Sequence, residues 1–122
     1  MITLYGITNC STVVKARKWL EDNKIEYKFH DYKKLGIDKE HLEKWCGNIG
    51  WEKVLNRSGM MYRKASDEVK NKIINQLSAI EFILTVPTSI KRPIVEIQVE
   101  GDGELILLGF NVEEYKNAFL NN

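Results

Sequence analysis

The first thirty residues alternate between apolar runs and polar stretches in an order that predicts a strand, a helix and a second strand. Residues Ile2–Tyr5 form a short apolar run typical of a β-strand. From Ile25 to Tyr32, apolar and polar residues approximate the alternation of a second strand. Between these runs, helical spacing predicts a helix that ends near Asn23, with apolar positions at Val13, Ala16 and Leu20. This order predicts the start of a parallel βαβ unit.

The middle of the chain carries helical signals. Ile37 and Leu42 have the spacing of a hydrophobic staple around an Asp38 N-cap. We therefore expect a helix over residues Lys39–Cys46 that stops at Gly47.

Further helical segments follow. A short piece is predicted over Trp51–Leu55, before residues 56–59, whose types favour a turn. Ser66 can cap the next helix, which we expect to break near Ser78 into two pieces. The apolar stripe of this segment has the helical period of a core face, and we expect it to be buried. Its members are Val69, Ile73, Leu77, Ile80 and Leu84.

The end of the chain predicts two strands and a closing helix. The strands are expected over Ile94–Val99 and Glu104–Gly109, joined by Gly101-Asp102-Gly103, a sequence that favours a hairpin turn. A helix over Val112–Leu120 is expected to direct three side chains into the core, those of Tyr115, Phe119 and Leu120.

Together these elements predict an α/β protein with a thioredoxin-like fold. We expect a four-stranded mixed sheet, with a helical segment of about residues 37–86 inserted between its second and third strands. A chain of 122 residues is within the range of one domain, so a single domain over residues 1–122 is expected. Ligands of such sheets collect outside the carboxyl ends of the parallel strands.

Composition excludes several function classes. The 18 basic and 17 acidic residues leave a formal net charge of +1, so no global field favours nucleic acid or an anionic membrane. The N-terminus lacks the pattern of a signal or transit peptide, and no apolar run has membrane-spanning length. We expect a cytoplasmic protein, and a monomer, because no amphipathic seam remains once the core is assigned.

The two cysteines, Cys10 and Cys46, are expected to be free thiols, since structural disulfides are rare in a reducing cytosol. No metal site is expected, because His30 and His41 are isolated and no Cys or Cys/His pair has zinc-ligand spacing. Cys46 is interpreted as a packed structural cysteine.

Cys10 is the candidate nucleophile, because it lies where the first predicted strand gives way to a helix. Free backbone N–H groups and the helix dipole stabilise a thiolate there. The alternative is that Cys10 is an inert cysteine that packs as a small hydrophobic residue, and its position alone does not decide between the two interpretations. Arg92, which precedes Pro93 at the third strand, and Arg57, in a predicted turn, could stabilise the anion or hold an oxyanion in a bidentate fork. For each arginine the alternative is a solvated surface charge.

Several short motifs follow one another along the chain. They are LYGITNC at residues 4–10, KARKWL at 15–20, YKFHDY at 27–32, GWE at 50–52, LNR at 55–57, IKRPI at 90–94 and LGF at 108–110. In this order they resemble the ArsC-like arsenate reductase superfamily, especially its YffB-type subgroup, with the Spx regulators as further relatives. The resemblance covers essentially the whole chain.

The resemblance implies a chemistry. Cys10 takes the place of the family's nucleophile, and Arg57 and Arg92 take the places of two arginines that hold the oxyanion. The bond between Arg92 and Pro93 is expected to be cis. Glutathione is implied as the co-substrate, and glutaredoxin as a possible protein partner.

The surroundings of Cys10 carry further expectations. Asn9 and the backbone N–H groups of Ser11 and Thr12 are expected to flank the sulfur, and Thr12 could add a hydrogen bond. The residue three after Cys10 is Val13, which excludes a Cys-x-x-Cys dithiol switch at this position.

Two departures from the family's reductases bear on the substrate. Gly6 stands where they have a histidine, and residues 107–110 lack their third arginine. Because arsenate needs several charge-assisted donors, we expect instead a glutathione-dependent monothiol reductase, acting on a small-molecule thiol or oxyanion. The alternative is a Spx-like regulatory protein that binds the RNA polymerase alpha subunit without a dithiol switch.

Overall fold

A computed structural model describes residues 1–99, 101 and 103–120 of the chain. The chain forms two compact units. The first consists of Met1–Tyr32 and the segment that begins at Arg92, and the second is Lys33–Lys91. The expectation of a single domain stays a prediction.

The described secondary structure keeps the predicted elements in their predicted order and adds three short ones that were not predicted, over Tyr32–Leu35, Met60–Lys64 and Pro87–Ser89. In chain order it consists of β1 (Ile2–Gly6), α1 (Ser11–Asp22), β2 (Lys28–Asp31), α2 (Tyr32–Leu35), α3 (Lys39–Ile49), α4 (Trp51–Val54), α5 (Met60–Lys64), α6 (Asp67–Asn71), α7 (Gln76–Thr85), a 3₁₀ turn (Pro87–Ser89), β3 (Ile94–Gln98), β4 (Glu104–Leu108) and α8 (Val112–Phe119). None of the helices in the described ranges combines the length and apolar character needed to cross a lipid bilayer.

The first unit carries a four-stranded mixed sheet, which confirms the predicted thioredoxin-like α/β architecture. Its strand order is β2-β1-β3-β4. Strand β1 is parallel to β2 and antiparallel to β3, and β3 is antiparallel to β4. The parallel βαβ start is therefore confirmed. The last residue of β1, Gly6, pairs with Asp31 of β2, and Tyr5 pairs with Ile94 at the start of β3.

The core of the first unit lies between one face of the sheet and the helices α1 and α8. Its buried members are Leu4, Val13, Ala16, Leu20, Val95, Leu107 and Tyr115; Leu107 is 9% exposed and the others are 0% exposed. Tyr115 makes edge-on ring contacts with Trp19 and Phe110, and its hydroxyl donates to the Gly109 carbonyl at 2.9 Å. Phe119 also packs against this cluster, as predicted. Apolar burial on this face fixes both helices on the sheet.

Two details at the ends of these elements correct the sequence prediction. Strand β2 begins at Lys28 rather than Ile25, because the Ile25 N–H closes the end of α1 on the Leu20 carbonyl and Lys24 adopts a φ of 58°. Leu120 is 48% exposed rather than buried, because α8 ends at Phe119.

The predicted hairpin turn between β3 and β4 lies partly outside the described residues, since Asp102 is not among them. Its two glycines, Gly101 and Gly103, have φ angles of 92° and 88°, which glycine adopts without steric penalty. The Val99 N–H donates to the Gly103 carbonyl at 3.0 Å.

In the second unit, α3 starts as predicted and runs further than predicted. The Asp38 side chain accepts a hydrogen bond from the His41 N–H and caps the helix. The predicted end at Gly47 is wrong, because Gly47 lies within the helix on its exposed side. The helix continues to Ile49. It ends at Gly50, which has a φ of 109° that a side-chain-bearing residue rarely adopts.

The break in the following helical segment comes earlier than predicted. Ser66 caps α6 as expected, but the helix is interrupted over residues 72–75 rather than near Ser78. The reason is a capping box in which Asn75 and Ser78 bond each other's backbone N–H groups, so that α7 begins at Gln76.

This new start changes which side chains of α7 are buried. The buried face consists of Ala79, Ile80 and Ile83. Three members of the predicted stripe are instead exposed: Val69 at 40%, Leu77 at 56% and Leu84 at 39%. A single helical stripe could not persist across two separate helices.

Candidate functional site

The sheet topology brings three chain segments to one edge of the first unit. Cys10 follows β1, Tyr32 follows β2 directly, and Arg92 lies two residues before β3. Because β1 and β2 are parallel and β3 is antiparallel, the carboxyl ends of the first two strands lie beside the start of the third. This is the edge at which ligands of parallel α/β sheets collect. Topology thus places a thiol, a phenol and a guanidinium together.

Cys10 is the N-cap residue of α1, with the extended backbone angles typical of that position. Its side chain makes no regular capping hydrogen bond, which an alcohol or carboxylate would normally form there. The N–H groups of Thr12 and Val13 nevertheless act on the sulfur and favour its anion. These are the second and third helical residues, whose N–H groups have no partner inside the helix.

The net effect of the surroundings is to lower the pKa of Cys10. Partial burial of the sulfur raises the pKa, but it is outweighed by the Val13 N–H group, the Arg92 side chain, the Thr12 N–H group and the positive charge of Arg92. Each of these groups stabilises the thiolate more than the thiol. Cys10 as a whole is half-buried. The site therefore provides a half-buried thiol that ionises more readily than an ordinary thiol.

Sequence reasoning missed Tyr32 as part of this edge. Its side chain is 1% exposed. Burial raises the pKa of its phenol to about 12. The charge of Arg92 lowers this pKa, and the charges of Cys10 and Asp31 add smaller increases. The phenol therefore stays protonated at neutral pH. Its position directly after a parallel strand was the sequence signal that could have found it.

The remaining predicted residues around Cys10 have the following positions. Asn9 and Ser11 are exposed beside the sulfur-bearing residue, and Thr12 is half-buried. The peptide bond between Arg92 and Pro93 is cis. The roles of these side chains in ligand binding stay predictions.

Gly6, the last residue of β1, lies against α1. A Cβ atom at this position would come within 2.9 Å of Cγ2 of Val13, closer than real Cβ atoms approach a neighbour. Val13 is fully buried, so it has little room to move. The close approach of β1 to α1 therefore requires glycine here.

The two other predicted chemical residues belong to the second unit. Arg57 is exposed in the turn after α4, and its guanidinium carbon lies 5.9 Å from the centre of the Trp51 ring. The turn is anchored by a hydrogen bond of 2.8 Å from the Asn56 N–H to the Ser89 carbonyl. Cys46 is buried in α3, as expected of a packed thiol, and burial raises its pKa to about 11.

Comparison with known proteins agrees with the thioredoxin-like fold. The model of the ArsC family matches residues 5–118, and the chain belongs to this family. A Haemophilus influenzae protein without a characterised function is 43% identical over 98% of this chain and 99% of its own length. The solved structure of a protein designated YffB has a TM-score of 0.88 and 42% identity, covering 97% of this chain and 98% of that one.

The regulatory branch of the family is also represented among the relatives. The global transcriptional regulator Spx 1 of Lactococcus lactis is 28% identical over 98% of this chain and 89% of its own length. These comparisons confirm the resemblance to the ArsC-like superfamily and its YffB-type subgroup.

Proposed function

We propose that the chain is a glutathione-dependent monothiol reductase in which Cys10 is the nucleophile. The observation that carries the proposal is the lowered pKa of Cys10, which results mainly from the Val13 N–H group and Arg92 against the effect of burial. The thiolate is the reactive species in thiol chemistry, and a lower pKa increases its fraction at any given pH. In this proposal Arg92 holds a carboxylate or oxyanion of the ligand, and Asn9, Ser11 and Thr12 line the same ligand site. The resemblance to the family makes Arg57 a second candidate anion holder.

The reaction takes two thiol–disulfide exchanges. The Cys10 thiolate attacks the glutathione sulfur of a mixed disulfide, which forms a Cys10–glutathione disulfide and releases the substrate as a thiolate. A second glutathione thiolate then attacks the glutathione sulfur of that adduct, releasing the Cys10 thiolate and glutathione disulfide. The net reaction consumes one reduced glutathione, since the other half of the glutathione disulfide enters with the mixed disulfide and the substrate leaves as a free thiol. Glutaredoxin could replace the second glutathione as the attacking thiol.

An external thiol is needed because the chain offers no suitable resolving cysteine. Val13 occupies the position of the second cysteine in a Cys-x-x-Cys pair. Cys46 is buried and its pKa is raised to about 11, so it is a poor nucleophile at neutral pH. The reducing conditions that this cycle requires favour a cytoplasmic location, and we propose that the protein acts there as a monomer.

Turnover of a glutathionylated peptide, with glutathione as reductant and glutathione reductase as the coupled reporter, tests the proposal. We expect Cys10→Ser to abolish turnover and Cys46→Ala to retain it. Arg57→Gln and Arg92→Gln should raise KM if they hold the anion. Full activity of Cys10→Ser would overturn the proposal. Arsenate in a parallel assay tests the oxyanion substrate.

The similarity to Spx 1 favours a second candidate, a regulator that binds the RNA polymerase alpha subunit. Purified alpha subunit immobilised on a resin tests this directly. Stoichiometric capture of both the wild type and Cys10→Ser, with no glutathione turnover, would favour the regulator over the reductase.

A further inference from the structure

The hydroxyl of Tyr32 is a buried polar group with no hydrogen-bond partner among the described residues. Its residue is 1% exposed, so solvent does not satisfy it either. Leaving such a hydroxyl without a partner carries a free-energy penalty of the order of a lost hydrogen bond. A native protein that retains this arrangement invites a functional explanation.

The charges beside this hydroxyl show what kind of ligand it can accept. Arg92 acts on the Tyr32 oxygen through its charge and as a weak donor, and Cys10 lies near enough for its thiolate charge to act on the same phenol. A guanidinium has five donors and no acceptor. Even where Arg92 donates to the Tyr32 oxygen, the hydroxyl proton still lacks an acceptor. The group that completes this arrangement is an anion with acceptor atoms.

We propose that the Tyr32 hydroxyl donates a hydrogen bond to a carboxylate or other oxyanion that Arg92 holds beside Cys10. Tyr32 and Arg92 then form a clamp for one anionic group of the ligand that Cys10 attacks. The inference deepens the proposed function and rests on it, because it assigns a specificity residue to the same nucleophile. The high pKa of Tyr32, caused by burial, keeps the proton on the phenol for this role.

Binding requires a local rearrangement, because the Tyr32 hydroxyl oxygen is covered by surrounding protein atoms. Arg92 is half-exposed and is the cation beside it, so an incoming anion draws Arg92 first.

Alkylation of Cys10 tests the clamp without any need for glutathione turnover. In iodoacetate the Cys10 thiolate displaces iodide from the CH₂ carbon and leaves a carboxylate on the product. Iodoacetamide undergoes the same displacement but leaves a neutral amide. The ratio of the two rate constants measures anion recognition beside the sulfur, because the thiolate fraction is the same for both reagents.

We expect Tyr32→Phe to lower the iodoacetate-to-iodoacetamide ratio at Cys10 by about tenfold, the effect of one hydrogen bond to a charged group. The iodoacetamide rate should stay the same. Tyr27→Phe is a matched control, because the Tyr27 hydroxyl bonds Arg17 and Glu21 on the same unit, and it should leave the ratio unchanged. An unchanged ratio in Tyr32→Phe would overturn the inference.

A second measurement uses the wild-type chain. The Tyr32 ¹³Cζ resonance should differ between the carboxymethyl and carbamidomethyl adducts of Cys10, while the Tyr27 resonance should not. Identical Tyr32 resonances in the two adducts would contradict the clamp. Failure of the proposed function has a different signature, since Cys10 would then react with iodoacetamide only as fast as an unperturbed thiol.

Discussion

Arg92 stabilises the thiolate of Cys10, although the two residues belong to the two separate sequence segments that form the first unit. The guanidinium acts both as a hydrogen-bond donor and as a positive charge on the sulfur. The relationship arises because β3 runs antiparallel to β1, so that the residue before β3 meets the residue after β1. The reactivity of the thiol is therefore a property of the folded sheet.

Replacement of Arg92 by glutamine should raise the pKa of Cys10, because it removes a charged donor that stabilises the thiolate form much more than the neutral thiol form. The pH profile of iodoacetamide alkylation should shift to higher pH. At neutral pH, where the fraction of thiolate falls, the rate should drop by about tenfold. Ultraviolet absorbance of the thiolate against pH measures the same shift. The exposed Arg63→Gln should keep the wild-type profile, and a wild-type profile in Arg92→Gln would refute the assignment.

Sequence periodicity was sufficient to predict the sheet and the position of Cys10. Strands β1, β3 and β4 have strong apolar runs, and Asp38 and Ser66 are local caps whose effect does not depend on distant residues. The place of Cys10 at a strand-to-helix junction is likewise a local property.

Tertiary contacts decide the features that the sequence prediction missed. Whether Leu77 or Ile83 faces the core depends on where α7 starts, which the pairing of Asn75 with Ser78 determines. The importance of Tyr32 depends on its meeting Arg92, a residue distant in sequence. Composition and residue spacing predict neither the start of α7 nor the proximity of Tyr32 and Arg92.

Gly6→Ala should destabilise the chain, because its Cβ would overlap Val13. Overpacking of this kind typically costs about 1–3 kcal/mol. Val13→Ala alone should also destabilise, since it leaves a cavity beside α1. The double variant should lose less than the sum of the two, because each change relieves the other, and urea unfolding measures all three. Strictly additive losses would show that the two positions do not compete for space.

The two cysteines should react in sequence rather than together. At pH 8 the Cys46 thiolate is about one-thousandth of the population, given a pKa of about 11, whereas the pKa of Cys10 is lowered. Burial slows Cys46 further. A thiol-specific disulfide reagent should therefore titrate one thiol rapidly in the native chain and two in urea, with peptide mapping assigning the fast site. Rapid modification of Cys46 in the native chain would contradict its burial.

Tyr115→Phe should lower the free energy of unfolding by about 1–3 kcal/mol, because it leaves the Gly109 carbonyl without its donor in a buried position. The ring contacts with Trp19 and Phe110 remain, so the loss isolates the hydroxyl. Tyr62→Phe is the control, since that residue is half-buried and packs its ring on Phe82. The control should change stability by less than about 0.5 kcal/mol. If Tyr115→Phe and the wild type are equally stable in urea, the hydrogen bond from Tyr115 to Gly109 contributes nothing to stability. Apolar packing alone would then hold α8 on the sheet.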